Sequence, residues 1–424
     1  MTKLTLQSVP KLLFGVNFHS ISPETTVERA MASLSKLTGQ PRPALLNNSL
    51  PNAPGVSIFS AGPQHSGYNA WGKGLSAESS RASAVMEFIE RFSAETPVFG
   101  DHNQPYLSPR EKLPFRSLGF DALCAYNFQH TIYKDLANLS NRPFLWSKAY
   151  SLTRKEDVWI PTTRIWVNLS QKHIQDYCCT NGFSANNTRE EAILQGLCEV
   201  IERHILHLHF LNQARPNLFR IPLDRIENPS LKETIVRLQL AGWVIVANRH
   251  QTGLPFHTTS VWMHNPKSHY VYSTDGSHIH FATACTIEAS LSRCITECVQ
   301  SMSAEKTWRA RYPHAQLRLS RNLLADLELR LMSTRLDIST DEVSFATDDF
   351  RNDIETAVVI LEAMGTEVIV ADCTHPSLDI PVVKVLCPGL QPNFLLHRRQ
   401  SFDPMAIVSS HLENHLAVWK HARR

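Results

Sequence analysis

The sequence predicts a mixed α/β (α+β) protein, with three long helices bearing carboxylates packed on mixed or antiparallel sheets. Three observations support this. Long helical stretches are interspersed with strands, and no low-complexity tract or clean linker separates them. The strand candidates between residues 243 and 273 follow one another as a meander. Three of the helices also share a polar spacing that core packing does not require.

At 424 residues the chain can bury a large core, as one domain or two coupled ones. With 43% apolar and 19% charged residues it has an ordinary globular composition. Lys plus Arg (42) against Asp plus Glu (39) leaves a net charge of +3. That is too balanced for a nucleic-acid or anionic-membrane surface, which needs clustered positive charge. No stretch reaches the roughly 18 apolar residues of a membrane span. Polar residues interrupt positions 1–10 too often for a signal-peptide core. Nine cysteines, an odd number without a Cys-x-x-Cys pair, argue for a reduced compartment and against a disulfide scaffold or zinc ribbon. A cytoplasmic home is the expectation.

Residues 1–55 read as an N-terminal helical segment. Its helix runs from about Pro23 to Leu37 behind the cap Ser22, and Pro41 to Pro54 is a loop. The main domain is expected over 56–395. A strand, Val56 to Ser60, and a glycine-bearing turn, Gly72-Lys73-Gly74, lead into a helix from about Ala77 to Ala94. Phe144 to Ser151 and Val158 to Val167 alternate as strands, and Pro161 marks the second as edge or bulged. A second long helix spans about Thr188 to Leu211. The meander follows as Trp243 to Arg249, His257 to His264 and Tyr270 to Ser273, then a third long helix from about Thr286 to Trp308. A helix over Asp353 to Met364 meets two apolar strands, Glu367 to Ala371 and Ile380 to Leu386. Residues 396–424 read as a C-terminal helical tail.

The three long helices carry Ser83, Glu87 and Glu90; Gln195, Glu199 and Glu202; and Arg293, Glu297 and Gln300. Each triplet is spaced i, i+4, i+7, which at about 100° per residue confines it to a stripe about 60° wide. The first two end alike, as Glu87-Phe88-Ile89-Glu90-Arg91 and Glu199-Val200-Ile201-Glu202-Arg203. A solvated, salt-bridged face is the ordinary explanation of such a stripe. Here the intervening residues are apolar, so the acids sit on helices that look buried nearly all round, where an uncompensated acid is expensive. The recurrence after about 110 and then 100 residues suggests a repeated scaffold facing a common cavity. Glu87, Glu90, Glu199, Glu202 and Glu297 suit a hard cation such as magnesium, which shares its shell with phosphate oxygens. Arg91, Arg203 and Arg293 would meet phosphate charge. A di-iron bundle is the rival metal reading, but it needs Glu-x-x-His rather than Glu-x-x-Glu. Lys73 between two glycines, and Asn187 with Glu191 at a helix start where amides favour anions, support a nucleotide. Thr188 and Glu191 also make an ordinary capping box.

These motifs resemble the signatures of the YcaO family. The first runs from Gly72-Lys73-Gly74-Leu75-Ser76 through Ser83 to Arg91, and the second from Thr180-Asn181-Gly182 through Asn187 and Glu191 to Arg203. The third joins Arg293, Glu297 and Gln300, and the last resembles the family's closing strand and turn, Ile380-Pro381-Val382-Val383-Lys384-Val385 with Pro388-Gly389-Leu390. The resemblance covers roughly Val56 to Pro392. It implies a YcaO-type fold whose ATP site is unrelated to kinases or P-loop proteins, with ATP and Mg2+ as cofactors. Ser83, Glu87, Glu90, Glu191, Glu199, Glu202 and Glu297 would form the nucleotide–metal shell. Asn187, Arg203 and Arg293 would contact nucleotide or phosphate, and Arg91 would contact it or brace the site. The N-terminal helix of relatives lends further contacts, which points to Thr26 and to His19, where Lys or Arg is expected. Asn186 stands where relatives usually carry glycine.

The chemistry the resemblance implies is ATP-dependent activation of a peptide amide. A nucleophile adds to the carbonyl, the oxyanion attacks the γ-phosphate, and loss of phosphate leaves an azoline, a thioamide or an amidine. Catalysis is then mostly positioning and charge neutralisation. No residue is identified as the base. The chain's ending, Trp419-Lys420-His421-Ala422-Arg423-Arg424, lacks the Pro-rich tail of many azoline-forming relatives, which disfavours stand-alone azoline formation and leaves thioamidation open. The expected substrate is a ribosomally made peptide or a protein, presented by a separate E1-like or TfuA-like partner because the chain has little room for a docking domain. A homodimer stays open. The alternatives are an accessory factor for methylthiolation of a ribosomal small-subunit protein and a non-catalytic leader-peptide-binding partner.

Other residues are set aside. Cys294 and Cys298 with His278 and His280 would satisfy a Cys2His2 zinc site on paper, but buried thiols beside a surface histidine pair are the simpler account. Cys178-Cys179 reads as ordinary core cysteine, and His204, His207 and His209 as structural.

Overall fold

The computed structural model describes residues 4–37, 42–62, 70–99, 104–119, 143–167, 180–211, 217–267, 277–311, 329–334 and 346–390. Within them the chain forms two compact units. The first comprises Met1–Lys11, Ile89–His204 and Thr347–Asn393, and the second Leu12–Phe88, Ile205–Ala346 and Phe394–Arg424. The chain passes from one to the other within two of its long helices, α2 (Ala77–Glu95) and α3 (Arg189–Leu211).

The first unit is built on a six-stranded sheet. Its order is β6 (Tyr106–Ser108), β7 (Phe144–Ser151), β14 (Ile369–Asp372), β15 (Val382–Leu386) and β9 (Phe183–Ala185), with β8 (Glu156–Pro161) also paired to β7. All ladders between these strands are antiparallel. β8 pairs with β7 along its length, takes one parallel bridge at Trp159 from Ser117 on its other side, and ends at Pro161, which suits a strand end because proline cannot donate to a ladder. The strand expected to run on to Val167 instead turns at Pro161 into a 3-10 turn, Thr162–Arg164. Helix α6 (Phe350–Ala363) begins behind Asp349, whose side chain caps it at the Arg351 N–H. The N-terminal residues fasten that cap. Ser8 bonds Asp349, the buried ion pair Lys11–Asp353 forms, and the Phe350 N–H reaches the Val9 carbonyl at 3.0 Å.

The second unit holds a hairpin, β1 (Leu12–Phe14) and β2 (Asn17–His19), and helix α1 (Pro23–Leu34). It adds a three-stranded sheet, β3 (Ala44–Asn47), β4 (Ser57–Gly62) and β5 (Ala70–Gly74). Its four-stranded sheet, β10 (Asn217–Arg220), β11 (Val244–Gln251), β12 (His257–His264) and β13 (Ser277–Ala284), is the expected meander. Helix α5 (Ile287–Arg311) packs on β12 and β13 and also meets β4 and β5. Ile58, Leu231, Val261, Met263, Leu291, Ile295 and Met302 are buried together in its core. Ser22 caps α1 as expected, accepting the Thr25 N–H at 3.2 Å.

Gly72-Lys73-Gly74 is not a turn but the body of β5, paired with Phe59, Ile58 and Ser57 of β4. Its glycine serves close packing rather than a bend. A Cβ at Gly72 would lie 2.1 Å from the Ala84 nitrogen and the Ser80 oxygen of α2. Helix α4 (Pro229–Leu240) was not expected from the sequence, although Asn228 caps it at the Leu231 N–H and Pro229 opens it. Residues 1–55 contain strands β1–β3 as well as the expected helix. The expected strand over 270–273 and the tail over 396–424 lie outside the described residues.

Candidate nucleotide and metal site

The polar stripes fall where partial burial was expected. On α2, Ser83, Glu87 and Glu90 are half-buried between the buried Val85, Met86, Phe88 and Ile89. On α3, Glu199 and Arg203 are half-buried and Glu202 is 8% exposed. On α5, Arg293 and Glu297 are half-buried and Gln300 is buried, above a face of buried Cys294, Ile295, Cys298 and Val299. No member of the three stripes is exposed. A solvated salt-bridge face therefore does not describe them.

The first unit carries Glu90, Arg91, Asn187, Glu191, Glu199, Glu202 and Arg203. Arg203 Nη2 stands 3.7 Å from both Glu199 Oε1 and Glu202 Oε1, and Arg91 Nε 3.9 Å from Glu90 Oε1. At these separations they are ion pairs rather than hydrogen bonds, and each offsets the charge of its acid. The other Glu199 oxygen accepts the Gly182 N–H at 3.1 Å. Asn187 and Glu191 are each 4% exposed at the start of α3, where Thr188 Oγ1 accepts the Glu191 N–H at 3.2 Å. Half of the expected capping box is thus in place. Neighbouring Glu190, 5% exposed, accepts the Gln7 N–H at 2.7 Å.

The second unit carries Lys73, Ser83, Glu87, Arg293 and Glu297. Lys73, projecting from β5, makes an ion pair with Glu297 and donates to Gln300 Oε1 at 3.2 Å. Gln300 Nε2 donates back to the Trp71 carbonyl of the same strand at 2.6 Å. Gln300 was legible as a stripe member, but its anchoring of Lys73 was not. Arg293 and Glu297 are one turn apart on α5, as Ser83 and Glu87 are on α2. Thr26 is buried and spends its hydroxyl on the Ser22 carbonyl at 2.8 Å, while His19 lies half-buried on β2 near Phe14.

The donor set fits ATP and magnesium. Oxygen ligands on ordered helices, four of them (Glu90, Glu199, Glu202 and Glu297) beside an arginine or lysine, suit a hard cation sharing its shell with phosphate. Among the described residues no three His, Cys, Asp or Glu form a ready-made metal cage. Magnesium needs none, because it keeps waters and takes phosphate oxygens. The cysteines of α5 do not behave as zinc ligands. Cys294 and Cys298 are fully buried and lie against the Thr259 and His278 carbonyls, and burial, together with Cys294 and Glu297, holds the Cys298 thiol well above its usual range. Cys178 and Cys179 lie outside the described residues. Burial lowers His204 to about 4, which keeps it neutral. His209 is buried and shares a 2.9 Å hydrogen bond with His250.

Antiparallel strand ladders with Glu-x-x-Glu-Arg on two long helices and an Arg/Glu/Gln stripe on a third define an α/β class with acid-rich helices. Residues 71–391 match the family described as YcaO cyclodehydratase, ATP- and Mg2+-binding, and the chain belongs to this family. Its cofactors are ATP and Mg2+. The fold matches a heterocyclase solved in complex with substrate and cofactor, at TM-score 0.73 and 21% identity over 92% of this chain and 54% of that one. It also matches YcaO from Methanopyrus kandleri bound with AMPPCP and Mg2+, at TM-score 0.67 and 17% identity over 93% and 99% of the two chains. An uncharacterised Haemophilus influenzae protein is 28% identical over 53% of this chain, which spans only 38% of that relative's length. One from Methanothermobacter thermautotrophicus is 27% identical over 76% of this chain and 81% of its own. Among the described residues no helix is long and apolar enough to cross a membrane.

Proposed function

We propose that this chain uses ATP and Mg2+ to activate a backbone amide of a peptide or protein for loss of its oxygen, yielding an azoline or a thioamide. The observation that carries this reading is the state of the carboxylates. They are buried or half-buried on ordered helices, each stripe pairs acid with base, and the family match runs across all three. Glu87, Glu90, Glu199, Glu202 and Glu297 are assigned to magnesium. Lys73, Ser83, Arg91, Asn187, Glu191, Arg203 and Arg293 are assigned to the nucleotide. When bound, ATP would supply the phosphate group that makes the amide oxygen a good leaving group, and Mg2+ would offset its charge. The protein's own part is to hold charge in place. The arginines offset developing negative charge, and the buried start of α3 turns its amides toward an anion. The base is not assigned to a residue.

The chain spans under half of its Haemophilus relative and about half of the heterocyclase, so the substrate and any partner are also part of the proposal. A peptide presented by a separate protein is favoured, because another structure of similar fold is the E. coli microcin synthetase McbBCD complex with pro-MccB17 bound, at TM-score 0.58. A reducing compartment such as the cytoplasm suits the six described cysteines, all buried. A second reading, an accessory role in protein methylthiolation, has one observation behind it. The E. coli ribosomal protein S12 methylthiotransferase accessory factor YcaO is 33% identical over 28% of this chain.

The test is intact-mass analysis of genomically neighbouring precursor peptides after incubation with the protein, ATP, Mg2+ and sulfide, with and without neighbouring partner proteins. Loss of one water per ring, or exchange of one oxygen for sulfur, is expected and requires ATP. ATP binding without any mass change would favour the accessory reading.

A further inference from the structure

Lys384 stands on β15, an inner strand of the six-stranded sheet, and is only 2% exposed. A buried ammonium is expensive unless polar groups receive it. Its Nζ donates to the Asn181 carbonyl oxygen at 2.6 Å and lies 4.8 Å from the centre of the Phe183 ring. Phe183 is the residue opposite Lys384 in the β15–β9 register, so the sheet itself sets this contact. The Asn181 carbonyl is one half of a peptide group. The other half, the Gly182 N–H, donates to Glu199 Oε2 at 3.1 Å. Cation, amide and carboxylate thus form one chain, in which the ammonium polarises an amide whose hydrogen the anion holds.

The amide has little freedom to leave this arrangement. The Gly182 carbonyl accepts the Val385 N–H at 2.8 Å. Gly182 has φ +81°, and a Cβ there would lie 2.3 Å from the Val385 oxygen. A Cβ at Gly196 would lie 2.8 Å from the Gly182 oxygen. Two glycines let α3, the loop and β15 close on a single peptide. Glu199 Oε1, the oxygen not bonded to that peptide, is turned toward Arg203 at 3.7 Å.

We propose that Lys384 is a positioning residue for magnesium, acting through the Asn181–Gly182 peptide to fix the Glu199 carboxylate and direct its second oxygen to the cation. This rests on the assignment of Glu199 to magnesium. Groups that orient a metal-binding carboxylate commonly change metal affinity by about 10- to 100-fold. A lysine serving stability alone would not discriminate between nucleotide with metal and nucleotide without it.

The experiment is calorimetric titration of wild type and Lys384→Met with AMPPCP in EDTA, then of the nucleotide-loaded proteins with Mg2+. Metal-free nucleotide affinity is expected to stay within about two-fold, while Mg2+ affinity falls roughly 10- to 100-fold. Lys384→Arg, which keeps the cation, is expected to restore most of it. Lys384→Gln keeps a donor without the charge and takes the place of Lys384→Met if that variant does not fold. Wild-type Mg2+ affinity in the neutral variant overturns the proposal, and so does an equal loss of metal-free nucleotide. Absence of Mg2+-dependent binding in the wild type overturns the assignment of Glu199, and the proposal with it.

Discussion

Glu199 of α3 and Glu297 of α5 occupy the same place in their helical stripes, yet they are held by different means. Glu199 is gripped by backbone, with the Gly182 N–H on one oxygen and Arg203, a turn away on its own helix, near the other. Glu297 is gripped by a side chain from another element, Lys73 of β5, which Gln300 steadies in turn. The first arrangement is as fixed as the fold around it. The second can change partner by a rotation of flexible methylenes, so a competing anion could draw Lys73 away at small cost. Each unit thus carries one acid in a rigid seat or one in an adjustable seat.

Substitutions should separate the two seats. The largest effect is expected from Glu199→Gln, which removes a fixed charge and should lower ATP turnover by on the order of 100-fold or more, read as initial rates at saturating Mg2+. Next is Gly72→Ala. Alanine ordinarily favours a strand or helix over glycine, but here its Cβ would meet α2 backbone at 2.1 Å. A loss of about 3 kcal/mol in urea denaturation is expected, without a specific change in metal affinity per folded molecule.

Acid should weaken both regions through histidines whose pKa burial lowers, His204 and His375 in the first unit and His250 and His257 in the second. His204 on α3 and His257 on β12 are each lowered to about 4 by burial, helped at His257 by Arg249. Between pH 6.5 and 4 the unfolded chain binds protons that these folded sites refuse, so stability falls as pH falls through that window. The expected loss is at most roughly 3 kcal/mol for each. Chemical denaturation of His204→Gln and His257→Gln across this range should show a flatter pH dependence. The smallest effect is expected from Lys73→Met. Freeing an adjustable partner should raise KM for ATP by about 10-fold with a smaller change in kcat, a split measurable by steady-state kinetics.

Much of the scaffold was legible because periodicity and caps are local signals. Phe144–Ser151 and His257–His264 match their expected bounds, and the three long helices begin and end within a few residues of expectation. The stripes were legible for the same reason, since i, i+4, i+7 spacing survives folding unchanged. What escaped depends on contacts distant in sequence. Gly72 looked like a turn residue because close packing against Ala84 leaves no mark in the neighbouring sequence. Lys384 looked like one residue of a closing strand, and its tie to Asn181 spans about 200 positions. Helix α4 was missed although Asn228 and Pro229 announce it, since its short apolar pattern competes with the polar residues around it.

The most direct test is AMPPCP binding measured by calorimetry with Mg2+ and again in EDTA, for the wild type and for Glu199→Gln. The account predicts about one nucleotide per chain, bound more tightly with Mg2+, and loss of that magnesium-dependent gain in the variant. Equal affinity in Mg2+ and EDTA, or a variant that keeps the full gain, would contradict it.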